Sequence, residues 1–177
     1  MLTATLPTAE HLHVVRSARD NVGYSELLLY VAPHYFTPKH FHDLFDECFE
    51  VVAGELEFGH GNQKVVLRAG EQVTVGRGTV HYFANRTAQS AVVRVKVSPG
   101  NPDFELGFLI YHGLIRDQLV DQKRRPKHFA DTAIFLKLTN SRFPGLGRFI
   151  EPLFFRAARK AIARGRLAEM HARYAVN

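Results

Sequence analysis

Residues 40–54, HFHDLFDECFEVVAG, and their counterpart at 70–85, GEQVTVGRGTVHYFAN, decide how the rest of this sequence is read. Residues two apart in a strand face the same side, so His40 and His42 are expected to point together into one cavity. Glu47 follows five residues after His42, and Gly54 closes a β-rich run. The second stretch places Gly70, Gly76 and Gly78 ahead of His81, with Asn85 four residues beyond. Three imidazoles and a carboxylate form the ligand mixture of a first-row transition metal with open coordination positions.

Outward from these two stretches the pattern is one of short strands. Residues 24–32, YSELLLYVA, predict a buried strand, and Pro33 and Pro38 bracket a loop that delivers His40. After a polar turn at 43–46, residues 47–53 read as a strand with Glu47, Phe49, Val51 and Ala53 on one face and Cys48, Glu50 and Val52 on the other. Strands at 55–58 and 64–67 flank a G-H-G-N turn at 59–62, a hairpin signal that puts His60 in solvent. Further strands are expected at 72–75, 80–84 and 89–98, the last with Ala91, Val93, Val95 and Val97 on one face. Many short strands with closely spaced turns imply an antiparallel sandwich or barrel.

The flanks differ. Residues 1–22 read as an N-terminal arm that adds an edge strand or a lead-in; its His11 and His13 alternate but lack a glycine or acidic partner, so they read as exposed polar residues. Past the P-G-N-P at 99–102 the apolar spacing becomes helical. Phe104, Phe108, Tyr111 and Ile115 recur at three or four residues, and Ile134 and Leu138 do so after Pro126. A third helix is expected over 146–168, with Pro152 breaking it or opening its main part. The organisation expected is an arm at 1–22, a β domain at 23–102 and a basic helical C-terminal extension at 103–177.

Charge sharpens that division. Residues 1–141 carry 15 basic and 15 acidic side chains, and residues 142–177 carry 8 and 2, so the formal net charge of +6 belongs to the last 36 residues. That distribution argues against a nucleic-acid-binding surface spread over the protein. In the tail, Arg148, Arg156, Arg159, Lys160, Arg164 and Arg166 accompany Leu153, Phe154, Phe155, Ile162 and Leu167. Such an amphipathic helix is expected to pack its apolar face on the barrel or on a second subunit, with peripheral contact to an anionic membrane as the alternative. Cys48 is the single cysteine, which excludes an internal disulfide. The N-terminus has no basic segment followed by an apolar core, and a cytoplasmic protein is expected.

The two central stretches resemble the paired motifs of the cupin superfamily, in its single-domain, metal-binding form. The first motif is a glycine, five residues, H-x-H, three or four residues, a glutamate, six residues and a glycine; His40, His42, Glu47 and Gly54 match it, and His34 stands at the opening glycine. The second is a glycine, five residues, P-x-G, two residues, a histidine, three residues and an asparagine; Gly70, Gly78, His81 and Asn85 match it, with Gly76 in place of the proline. The resemblance spans residues 24–98.

It implies a mainly β fold, a small antiparallel β-barrel or double-stranded β-helix of jelly-roll type, with the helices as an extension. It also implies that His40, His42, Glu47 and His81 hold one divalent transition metal ion, whether iron, manganese, zinc, nickel or copper. Glu47 is in addition the candidate catalytic residue, able to move protons if loosely bound. Phe49, Tyr82 and Phe83 are candidate pocket residues, and Arg77 could meet an anionic substrate at the mouth. The function implied is a metal-dependent enzyme, oxygenase-like with a dioxygenase as the form expected, acting on a small hydrophobic or aromatic molecule. Isomerase and lyase chemistry use the same centre, and the alternative is a metal- or ligand-binding cupin acting as sensor, carrier or accessory module. A homodimer is the expected assembly.

Overall fold

Alternation of apolar and polar residues drives the first half of the chain into two facing antiparallel sheets. The computed structural model describes residues 12–175. In one sheet β1 (His13–Arg16), β2 (Ser25–Val31), β8 (Ala91–Ser98), β3 (Asp46–Ala53) and β6 (Gln72–Val75) lie side by side in that order. In the other, β4 (Glu55–His60) sits between β5 (Gln63–Arg68) and β7 (His81–Ala84). This is the expected cupin-type, jelly-roll-like fold. The two sheets remain separate ladders rather than one continuous barrel, joined at their rims by isolated pairings such as His40 with His81.

The inward face of each strand supplies the core. Leu27, Leu29 and Val31 from β2, Phe49 and Val51 from β3, and Val93, Val95 and Val97 from β8 meet Leu56, Phe58 and Phe83 of the smaller sheet, all of them buried. Each such side chain contributes on the order of 2 kcal/mol by leaving water. The period of two makes Glu47, Phe49 and Val51 share the inner face of β3, while Cys48 lies on the other face with its thiol toward Gln72. The expected edge strand of the arm is β1, paired to β2; His11 lies outside the described residues.

The hairpin between β4 and β5 is tighter than the sequence suggests. Both strands run on to a two-residue turn at Gly61 and Asn62, where Gly61 takes φ 56°, the conformation that short hairpin turns demand. His60 is therefore not a turn residue in solvent but a half-buried strand residue paired with Gln63 and His81.

The second half is helical. α1 (Pro102–Arg116) begins where Pro102 can donate no hydrogen bond and the Asn101 side chain accepts from the Phe104 amide. Glu105, in its first turn and buried, accepts from the Ala18 amide and from the hydroxyls of Ser17 and Ser25, which ties the helix to β2. α2 (Phe129–Leu138) follows. The third expected helix is divided: a 3₁₀ segment at Gly145–Phe149, then α3 (Glu151–Ala163) with Pro152 in its first turn, then α4 (Arg166–Tyr174) after Gly165 at φ 85°.

Most of the apolar face of the basic tail packs on the other helices rather than on the strands. Ala158 and Met170, supported by Phe154, Ile162 and Leu167, join Ile110, Leu114, Ile134 and Leu138 in a second core made by the helices themselves. The physical reason is that α1 already meets the strands through Phe104 and Phe108, and α1 and α2 present an apolar surface of their own. A bidentate pair from Arg166 neutralises buried Asp131 and links α4 to α2. Leu146, Phe149, Ile150 and Leu153 remain exposed. Among the described residues, no helix is long and apolar enough to cross a membrane.

Candidate metal centre

Backbone pairing brings the two motifs together. His40 and His81 exchange both main-chain hydrogen bonds, at 3.0 and 2.8 Å, so their side chains leave the ladder on one face with ring centroids 4.4 Å apart. His42, two residues on, stands 4.9 Å from the first ring and 5.3 Å from the second. One nitrogen of each ring lies within 4.8 Å of the others. Glu47 enters from β3, and its Oε2 is 2.8 Å from Nε2 of His81 and 3.3 Å from Nε2 of His42. The structure thus gathers all four residues expected from the motifs.

Each imidazole is oriented from behind. Nδ1 faces the carbonyl oxygen of Pro38 at 2.7 Å in His40, of Asn140 at 3.2 Å in His42 and of Thr79 at 2.9 Å in His81. A carbonyl only accepts, so Nδ1 carries the proton and the Nε2 lone pair is left for another partner, the arrangement that metal-bound histidines use. Nε2 of His42, Nε2 of His81 and Oε2 of Glu47 are buried yet make no hydrogen bond of good geometry. Such orphaned polar atoms are costly, and a cation among them would satisfy all three. The donor set fits a divalent transition ion.

The charges are already biased that way. Burial, reinforced by the neighbouring His81 and His42, holds His40 neutral with its pKa down to about 3. Burial opposes ionisation of Glu47, but the close approach of the His42 and His81 imidazoles outweighs it and keeps the carboxyl below its usual range. Burial likewise opposes protonation of His42, and the Glu47 carboxylate overrides it, raising the imidazole above its ordinary value.

The two departures from the family motif are accommodated. His34 adopts φ 57°, the conformation the motif's opening glycine would supply. The turn ahead of His81 is fastened without a proline: the Gly78 amide donates to the His42 carbonyl at 2.8 Å, Thr79 to Gly76 at 3.1 Å, and Arg77 to the Asp46 carboxylate at 2.8 Å. Gly78 itself sits at φ 74°. Asn85 is not a ligand; its buried side chain bonds Val31, Thr87 and Gln89 and fastens the β7–β8 connection.

A cavity of about 150 Å³ opens beside the centre, lined by His40, His42 and Glu47 and by Phe49 and Phe83 as expected. Arg77 and Tyr82 are not part of it. Arg77 is on an outer turn beside Asp46, and Tyr82 alternates to the far side of β7, where its hydroxyl donates to Glu57. The period of two that turns His81 and Phe83 inward turns Tyr82 outward.

Much of the lining comes from the helical half. Phe104, Phe108, Tyr111 and Ile115, the apolar stripe legible in the sequence, face this cavity, joined by His112, Arg124, Phe135 and Phe143. The link between α2 and α3 also clasps the first motif. Phe41 and Arg142 exchange main-chain hydrogen bonds at 3.2 and 2.9 Å, and the Asn140 side chain accepts from the amides of Asp43 and Leu44 at 2.7 and 3.2 Å. The Arg142 guanidinium spans Asp43 and buried Glu151. The stripe's helical spacing was a signal for the lining; residues 139–143 carry no local pattern that announces their contact with His42.

The β domain is similar to known proteins. The cupin-domain family profile matches residues 27–97. A germin-like protein 5-1 of Oryza sativa subsp. japonica is 31% identical over 94 residues, which cover 49% of this chain and 41% of that protein; the chain spans about two fifths of the length of this curated relative. Among solved structures, an oxalate oxidase in complex with the substrate analogue glycolate is similar at 24% identity and a TM-score of 0.46, over 55% of each chain. KdgF from Halomonas sp. is similar at 18% identity and a TM-score of 0.47, over 55% of this chain and 87% of that one. Residues 27–97 form a cupin domain.

Proposed function

We propose that this protein is a metal-dependent cupin enzyme acting on a small, largely hydrophobic or aromatic molecule, with His40, His42, Glu47 and His81 holding one divalent transition ion. The observation that carries the reading is the set of orphaned donors: three imidazoles pinned by Nδ1 to carbonyl oxygens, with two Nε2 atoms and a Glu47 oxygen buried and unpartnered at one point. An ion bound there supplies Lewis acidity and, if redox-active, the capacity to exchange electrons with dioxygen.

The chain's own residues set the conditions. Glu47, held ionised, offsets the charge of the ion. The phenylalanines of β3, β7 and α1 exclude bulk water from the cavity and favour an apolar substrate body. Beyond the centre the cavity holds further proton-handling groups: Tyr35 from the β2–β3 connection and Tyr111 from α1, both kept protonated by burial, and His112 of α1, kept neutral by burial with a pKa down to about 4. Their presence favours turnover over a purely carrying or sensing role.

Elemental analysis of the purified protein beside a His42→Ala variant tests the assignment. The wild type is expected to retain close to one transition-metal ion per chain and the variant markedly less. Wild-type protein that neither carries metal after expression in supplemented medium nor binds it on titration would refute the centre. Oxygen-uptake and product assays on the loaded protein then separate oxygen chemistry from isomerase, lyase or non-catalytic roles.

A further inference from the structure

The cavity has a second polar end, built by residues that the cupin motifs do not include. From His42 a file of rings runs through Phe104, Phe108 and Phe135 to Tyr111, with successive centroids 6.3, 4.8, 5.6 and 5.1 Å apart. From His81 a second file runs through Phe49 and Phe83 to Tyr35, at 6.0, 6.0 and 6.3 Å. The imidazoles and the two phenols are therefore separated by an apolar passage. At the phenol end the Tyr111 hydroxyl donates to the carbonyl of Arg124 at 2.8 Å, holding that residue at φ 58° against the cavity wall.

Arg124 differs from its neighbours in lacking a counter-ion. Arg125 is paired with Asp121 and Arg116 with Asp117, whereas the half-buried Arg124 guanidinium makes no hydrogen bond or ion pair among the described residues. Tyr35, Tyr111 and His112 line the same cavity as Arg124, and its positive charge acts on all three. Glu47, at the other end, is the one acidic residue in the lining, and exposed Lys39 adds positive charge at the rim. A cation half withdrawn from water and flanked by neutral donors is a receptor for an anion. The space available matches a compact body: a cavity of about 150 Å³ is of the size that accepts a benzene ring.

We infer that the cavity binds a small monocarboxylate, its carboxylate anchored by Arg124 with the phenol of Tyr35, and its apolar body, about one aromatic ring in size, directed along the phenylalanines toward the histidine centre. The inference rests on the cavity being the substrate site proposed above, and it gives the helical extension the task of selecting the substrate.

Calorimetric titration of the full-length protein with benzoate and with uncharged benzamide provides the test, using wild type, Arg124→Gln and Arg124→Lys. Charge-assisted hydrogen bonds predict that wild type binds benzoate roughly tenfold or more tightly than benzamide. Arg124→Gln should remove most of that preference by weakening benzoate far more than benzamide, and Arg124→Lys should restore part of it. The same dependence on Arg124 is expected after chelator treatment, because the anchor is not the metal. Equal binding of the two probes to wild type, no binding of benzoate at millimolar concentration, or unchanged benzoate binding in a folded Arg124→Gln protein would each overturn the inference. Should Arg124→Gln not fold, the wild-type comparison and the lysine variant decide it. Benzoate binding that disappears on chelation but survives Arg124→Gln places the anion on the metal: the anchor is then wrong and the metal centre stands. Dependence on Arg124 in a protein that binds no metal has the opposite meaning.

Discussion

His112 shows how single residues in this cavity carry pH dependence. Burial, aided by the charge of Arg124, lowers its pKa to about 4 from an ordinary value of 6.5. Above pH 6.5 the imidazole is neutral whether the chain is folded or unfolded, and it contributes nothing. As pH falls below 6.5 the unfolded chain takes up a proton that the folded one refuses, so stability drops until the folded group also titrates near pH 4. The full loss is on the order of 3 kcal/mol. Replacing the imidazole by an amide, His112→Gln, should flatten that limb; urea denaturation of both proteins between pH 7 and pH 4 measures it, and parallel limbs would exclude the effect. Glu47 acts in a different window, since its lowered pKa stabilises the fold above the ordinary carboxylate range and the contribution fades as pH falls through that range. His40, depressed to about 3, works in the same sense as His112, so the variant should lose part of the acid sensitivity and not all of it.

At the level of elements, the crossing of α1 and α2 sets how the helical layer meets the centre. A Cβ at Gly107 in α1 would stand 2.9 Å from Cγ2 of Thr139 and 3.2 Å from Cβ of Leu138. The next residue, Asn140, offers its carbonyl to His42 and its side chain to the amides of Asp43 and Leu44. Alanine ordinarily favours a helix over glycine by about 1 kcal/mol. Here overpacking against a β-branched neighbour is expected to outweigh that gain, leaving Gly107→Ala destabilised by about 1–3 kcal/mol. It should also retain less metal, because moving Thr139 moves the acceptor behind His42. Thermal unfolding and metal content of the same preparation check both parts, and a more stable variant with full metal would show that the crossing has slack. The positions of the strands, by contrast, were largely legible: the inner and outer faces of β3 and β8 follow from a period of two. Their ends were less so, as with β4, which runs to His60 because the turn needs only Gly61 and Asn62.

Over the whole molecule, the helical half completes the β domain rather than trailing from it. Phe104 of α1 is buried in the sheet core, with its ring 5.1 Å from that of Phe45, and the α2–α3 link closes over the loop carrying His42. A chain ended after Gly100 should therefore lose its cooperative thermal transition and its near-ultraviolet dichroism, since it would expose Phe45 and leave the His42 imidazole without its carbonyl partner. A sharp melt with intact metal binding would show instead that the strands suffice. By itself the sequence determined the strand faces, the four candidate donors, the apolar stripe of α1 and the concentration of positive charge in the tail. Each is a matter of local spacing, which the periods of strand and helix convert directly into a shared face. Only the tertiary structure decided that Asn140 orients His42, that Arg124 stands unpaired at the far end of the cavity, and that Arg77 lies on an outer turn beside Asp46. The first two join residues roughly a hundred positions, or a whole domain, apart, and such contacts arise from how the helical layer packs on the sheets, a choice that no local pattern of residues records.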